Sequence, residues 1–280
     1  MHTYILCFFM IVSCISYCSP SHNKTDNRPH AWQQKHTALI YPVKDDSNGI
    51  TKSMRDNVQR IVEWQKNEVQ FVRPDFVVID PDVHIGKGSV IGCGTHILNG
   101  SIIGNNCIVG PFCIIDKTII EDDVTIYSHC VLEDTMIRRR AKVGPFAHTR
   151  NKSVIEKAAE IGNFVEMSNS IIGERSKAKH LTYLGCAVIE EEVNIGGGTI
   201  TCNYDGFGRH TTLFKRKSFI GSNGTFVAPL TVGEGAITAA GSTFTHNIPN
   251  GALGIGRARQ SVKEDYAEKL KLKFQNRLKK

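Results

Sequence analysis

The chain has 280 residues, 41% of them hydrophobic and 22% charged, the composition of an ordinary globular protein with enough apolar side chains for a sizeable core. Aromatic residues make up only 8%, against 25 glycines, which suits an all-β body packed from small branched side chains rather than large rings. The formal charge of +7 and pI near 8.9 raise nucleic acid as a partner. Lys263–Lys280, however, holds seven basic and three acidic residues, so the excess lies at one end and not along a groove, and direct nucleic-acid binding is excluded.

Residues 1–20 carry an apolar run, Tyr4 to Tyr17, similar to the h-region of a signal peptide and too short to span a bilayer comfortably as a helix. No Lys or Arg precedes it, so a signal or anchor competes evenly with a dispensable extension. Ile11-Val12-Ser13-Cys14 matches a lipoprotein cleavage box only loosely. A polar linker, expected to be mobile, follows over 21–50. Within 51–72, Met54, Val58, Ile61, Val62 and Val69 fall at helical spacing and predict a short amphipathic helix that packs on the body.

Over 75–260 the period changes to six. An aliphatic residue recurs at Ile79, Ile85, Ile91, Ile97, Ile103, Val109 and Ile115, then after Ile120 and Ile126 at Val143, Ile161, Ile172, Ile189, Ile195, Ile220, Phe226 and Val232. Six residues supply one short strand and one turn. Three such units close a coil of about eighteen residues, stacked on the next at roughly 4.8 Å with the aliphatic column inside. Gly follows the aliphatic residue at Gly86, Gly92, Gly104 and Gly110, where a tight turn calls for a residue without Cβ. The period predicts a parallel β-helix without giving its hand, and the general crossover rule would make it right-handed.

Nine cysteines are present without a CxxC pair, so structural zinc is unsupported. Cys107 and Cys113 share one slot of neighbouring repeats, which predicts buried free thiols in an interior column. His84 and His96 lie twelve residues apart, on two faces of an eighteen-residue coil, and so do not pair as metal ligands. His148, His210 and His246 sit in or near interruptions of the repeat. Over 261–280, Val262, Tyr266, Leu270, Phe274 and Leu278 recur every fourth residue among lysines, predicting a terminal helix docked on the last coil as a cap or on a neighbouring subunit.

The interruptions carry the functional signal. Gly162-Asn163-Phe164-Val165-Glu166, Ser176-Lys177-Ala178-Lys179-His180-Leu181-Thr182-Tyr183-Leu184-Gly185, the run from Val193 to Gly206 and Gly256-Arg257-Ala258-Arg259-Gln260 occur in that order. Together they resemble the acetyltransferase half of the bacterial bifunctional glucosamine-1-phosphate acetyltransferase/UDP-N-acetylglucosamine pyrophosphorylase, over about 77–260. The resemblance implies a left-handed β-helix, a homotrimer with active sites between subunits, and acetyl transfer from acetyl-CoA to the amine of glucosamine-1-phosphate.

Such a reaction needs a base, because only the neutral amine has a lone pair to attack a thioester, and histidine titrates in the right range. The resemblance assigns that role to His180. It assigns the sugar phosphate to Arg150, further substrate contacts to Tyr183 and Asn194, and the cofactor to Gly197, Asn203, Tyr204, Ser222, Ala240 and Arg257. No metal is expected to take part.

Two departures from the family pattern matter. Ser168 stands where the family has a second phosphate-binding lysine; losing one charge-assisted hydrogen bond, worth about 1.5–3 kcal/mol, weakens the phosphorylated sugar roughly ten- to a hundredfold unless Lys177, Lys179 or a neighbouring subunit compensates. The alternatives are therefore an acyltransferase for a different amino sugar or a non-catalytic β-helical scaffold. The nucleotidyltransferase half has no counterpart in this sequence, so neither uridylyl transfer nor Mg²⁺ chemistry is expected. Acetyl-CoA and free thiols predict a cytoplasmic location, with membrane contact only if residues 1–20 act as an anchor.

Overall fold

The computed structural model describes residues 52–278; the hydrophobic segment 1–20 and the linker 21–50 lie outside the described residues. From Gln70 onward short strands pair in parallel with the strand one full coil later. Val90 pairs with Ile108 and Ile91 with Val109, an offset of eighteen residues, while Thr125 pairs with Lys142, an offset of seventeen. Three strands per coil give three flat faces. The first includes Val90–Ile91 and Ile108–Val109, the second His96–Leu98 and Ile114–Asp116, and the third is a nine-stranded sheet from His84–Ile85 to Leu230–Val232. The result is a left-handed parallel β-helix with a helix at each end. Successive strands of one face are parallel neighbours joined through the other two faces, so the left hand departs from the general crossover rule.

Every residue of the aliphatic column is buried, from Ile79 to Val232. Phe226 does not stand alone inside: its ring lies 5.0 Å from Phe214 and 5.1 Å from Phe244, so the upper coils are packed with rings where the lower ones use isoleucine. Cys107, Cys113 and Cys130 are buried free thiols, and burial pushes the Cys107 thiol up. Buried hydroxyls tie successive coils together. Ser170 Oγ donates to the Leu184 carbonyl and accepts from the Ala187 N–H, leaving no polar atom of that side chain without a partner.

The glycines after the aliphatic residues serve a different purpose from the expected turn. None of Gly86, Gly92, Gly104 or Gly110 has a positive φ. A Cβ on Gly86 would sit 2.5 Å from the Gly104 carbonyl carbon, and one on Gly92 would sit 2.5 Å from the Pro111 nitrogen. Close backbone approach between coils excludes a side chain there. The left-handed corners are taken by Asn106, Asp123, Arg140 and their equivalents.

Helix α1 (Lys52–Lys66) ends earlier than the apolar spacing suggests, and Val69 is buried in the link to the strand Gln70–Phe71. Of the predicted stripe only Ile61 and Val69 are buried, while Met54, Val58 and Val62 are exposed. Ile61 and Trp64 pack the helix on the core, and polar bonds add to this: Asn57 donates to the Val77 carbonyl and accepts from the Ile79 N–H, and Arg60 donates to the Ile79 carbonyl. These bonds satisfy the open edge of the first coil, a task apolar side chains cannot perform. Helix α2 (Tyr266–Leu278) buries no residue, so it does not cap the last coil of its own protomer. No helix among the described residues is long and apolar enough to cross a membrane.

Candidate active site

Two nine-residue strands, Glu160–Ser168 and Lys177–Gly185, run unbroken from the first face round a corner onto the second. At that corner Phe164 and Leu181 take positive φ, which bends each strand without breaking its hydrogen bonds to the neighbouring coils. His180 lies beside Leu181 with its ring exposed, and pairs in register with Asn163 one coil below. The Asn163 amide oxygen is 3.1 Å from His180 Nδ1. An amide oxygen only accepts, so in the neutral ring this contact selects the tautomer with the proton on Nδ1 and the lone pair on Nε2.

Above His180 a file of small residues climbs the same corner. A Cβ on Gly197 would come within 3.2 Å of the His180 Cβ, so this position leaves the imidazole its space. The Gly197 carbonyl accepts from the Asn223 N–H at 2.8 Å and the Ser222 carbonyl from the Gly241 N–H at 2.8 Å, which stacks Gly197, Ser222 and Ala240 one per coil. At roughly 4.8 Å per coil the file from His180 to Ala240 is about 14 Å long. The Arg257 side chain lies at its upper end, its Cδ 4.0 Å from where a Cβ on Gly241 would stand.

The remaining expected site residues gather elsewhere on the same chain. Arg150, on the second face, is ion-paired with Glu166 and lies 3.4 Å from His148 Nδ1. Ser168 pairs in register with Arg150, is 4% exposed, and its hydroxyl accepts from Asn151 at 2.8 Å. Tyr183 pairs with Glu166 on that face. Asn203 stands at the next corner, buried, and Tyr204 opens an excursion that leaves the prism and returns through an antiparallel bridge to Arg209. Asn194 lies on the first face, paired with Lys177 and Phe219. One protomer thus brings His180, Gly197, Ser222, Ala240 and Arg257 together and keeps Arg150, Ser168, Tyr183 and Asn203 apart from them, with Asn194 on the first face.

Lys177 and Lys179, the candidates to replace a cation at position 168, are both ion-paired with Glu160, at 3.7 and 2.7 Å. The lysines, with the Lys179 hydrogen bond foremost, keep the Glu160 carboxyl below its usual range. Among the described residues no His, Cys, Asp and Glu group could hold a metal ion. His84 and His96 lie on different faces, and His84 packs edge-on against Trp64.

Sequence reasoning gives Asn163, inside the Gly162–Glu166 motif, no role of its own, although its seventeen-residue spacing from His180 equals one coil. His148 is 3.1 Å from Glu133, and His210 2.7 Å from Asp205. Asp205 also accepts from the N–H groups of Phe207 and Gly208 at 2.8 and 2.7 Å, closing the excursion with Phe207 fully exposed at its tip. Those backbone donors, Gly208 first, and the His210 ring hold the Asp205 carboxyl well below the usual range.

A depressed carboxyl supports structure above its unfolded pKa of about 3.9 and loses that support only as pH falls through the lower folded value. The excursion is therefore expected to stay closed at pH 5 and to open only below the ordinary carboxylate range. Asp205→Ala should accelerate amide hydrogen exchange at Phe207 and Gly208 at least about tenfold at pH 7 by removing two hydrogen bonds. Unchanged exchange at both amides would show that the carboxylate does not close this loop.

A profile for the GMPPB C-terminal domain matches residues 73–165. The bifunctional protein GlmU of Thermosipho melanesiensis is 44% identical over 229 residues, covering 79% of this chain and 51% of that protein. GlmU of Streptococcus agalactiae serotype V is 43% identical over 218 residues, covering 78% and 47%. The chain therefore spans about half the length of the relatives it matches. Among solved structures, LpxA, a UDP-N-acetylglucosamine acyltransferase from Bacteroides fragilis, superimposes with a TM-score of 0.52 at 16% identity over 71% of this chain and 76% of that one, a likeness of fold.

Proposed function

We propose, on the premise that this chain is a homologue of the C-terminal half of GlmU, that it transfers acetyl from acetyl-CoA to the 2-amino group of glucosamine-1-phosphate. The observation that carries the reading is His180, its Nδ1 proton held by Asn163, at the foot of the small-residue file that ends at Arg257. Nε2 takes the proton from the sugar amine as nitrogen attacks the thioester carbonyl. The new N–C bond forms, the C–S bond breaks, and the proton passes to the leaving thiolate of CoA.

Small side chains at Gly197, Ser222 and Ala240 let an extended pantetheine lie against the backbone. Arg257, at the far end, suits the phosphates of CoA as a fixed cationic partner. Acetyl-CoA is a substrate here, and no step calls on a metal.

The separation of the two clusters on one protomer supports a trimer in which the corner bearing His180 meets the Tyr183 and Asn203 surface of a neighbour. Active sites then lie between subunits. The C-terminal helix, with its exposed apolar stripe, has the composition of an element that packs on another chain.

The test is CoA thiol release with acetyl-CoA and glucosamine-1-phosphate; turnover with that acceptor supports the assignment, and turnover only with another amino sugar replaces it. Ser168 favours that second reading, since a buried hydroxyl already committed to Asn151 offers no charge to a phosphate. Ser168→Lys is expected to lower KM for glucosamine-1-phosphate about tenfold, the return of one charge-assisted bond. A KM that stays level or rises would mean that the phosphate does not meet this position.

A further inference from the structure

Cys186 is a buried cysteine outside the aliphatic column; its sulfur lies against two side-chain amides, and the residue lines a cavity. It occupies the corner between the second and third faces, with φ of 47°, one coil above Asn169. Its sulfur accepts from the side-chain amide of Asn203 at 3.3 Å and from that of Asn169 at 3.6 Å. Both donors are Nδ2 atoms, so the sulfur bridges the two amides. It also lines a cavity with Asn169, Lys152 and Arg209.

The consequence for Asn203 follows from the chemistry of an amide. Fixing Nδ2 on sulfur turns Oδ1 the other way. A Cβ on Gly185 would lie 2.8 Å from Asn203 Oδ1 and 2.6 Å from the Tyr183 hydroxyl, so both oxygens converge over the bare backbone of Gly185. Asn203 is 5% exposed, which leaves water little share in orienting it. The contact with sulfur distinguishes the amide from its flipped form, in which a donor replaces the acceptor beside Tyr183.

We infer that Cys186 is a positioning residue, whose sulfur holds Asn203 with its carbonyl oxygen presented to an N–H donor of bound CoA. The amide groups of pantetheine are donors of that class. The inference rests on the proposed acetyl-CoA reading and adds a residue to it.

The left-handed corner also takes an acidic residue, Asp134, so Cys186→Asp restores an acceptor at a backbone conformation that such side chains tolerate. Calorimetric titration of CoA into the full-length wild type, Cys186→Ala and Cys186→Asp tests the idea, with thermal unfolding of each variant recorded alongside. Cys186→Ala is expected to weaken CoA about tenfold without a matching loss of melting temperature, and Cys186→Asp to recover affinity to within about threefold of wild type.

Equal CoA affinity in all three proteins overturns the role of Cys186 while leaving the acetyl-CoA reading intact. Equal weakening in both variants overturns it too, because an acceptor would then not rescue. Failure of the wild type to bind CoA overturns the acetyl-CoA reading and this inference with it.

Discussion

His180→Ala is expected to lower the rate of acetyl transfer about a hundred- to ten-thousandfold, the range for loss of a positioned general base. The loss should fall on kcat, with KM for acetyl-CoA nearly unchanged, because the file Gly197, Ser222 and Ala240 does not depend on the imidazole. Asn163→Ala should cost about tenfold, since it releases Nδ1 and lets the ring sample the tautomer with Nε2 protonated, while the base itself remains. Steady-state thiol release at saturating acceptor measures both. A His180→Ala enzyme that keeps the wild-type rate would remove the imidazole from the chemistry, and an Asn163→Ala loss equal to that of His180→Ala would recast the pair as a single structural unit.

How much of this was legible in the sequence differs by level. The column from Ile79 to Val232 could be read directly, because a coil of fixed length must repeat its interior residue. The excursion after Asn203 and the corner strands could be located as breaks in the period. Three things could not be read from period six. The bonds of Asn57 and Arg60 to the first coil answer a bare strand edge that exists only once the coil is formed. The reason for Gly86 and Gly92 is a neighbour eighteen residues away rather than a local turn. Pairing across coils, as in Asn163 with His180 or Arg150 with Ser168, depends on whether a coil holds seventeen or eighteen residues, and interruptions change that count. On the proposed arrangement between subunits, convergence of His180 with Tyr183 and Asn203 is a property of two chains, which the period of one chain does not record.

Gly162→Ala carries the largest expected structural effect, and its mechanism is local to the site. A Cβ on Gly162 would lie 2.5 Å from the Lys179 carbonyl carbon and 2.6 Å from its Cα, closer still to the carbonyl oxygen, and all three are backbone atoms. No rotamer change relieves such a contact. Gly162 lacks a positive φ, so the cost is one of space and not of dihedral angle. The two coils must separate where Asn163 pairs with His180, and overpacking of this kind costs about 3 kcal/mol or more where the backbone cannot yield. At about 2–4 °C per kcal/mol for a body of this size, the melting temperature should fall by about 6–12 °C. Transfer should fall as well, because the displaced strand carries His180, the proposed base. Gly208→Ala is the matched control: its Cβ would have nothing nearer than 3.8 Å, the His210 Nε2, and it also has no positive φ, so its melting temperature should stay within about 1 °C of wild type. Scanning calorimetry on both variants decides the matter. If Gly162→Ala melts with the control and keeps full activity, the coils are not held as closely as the register requires, and the geometry that aims His180 would need another origin.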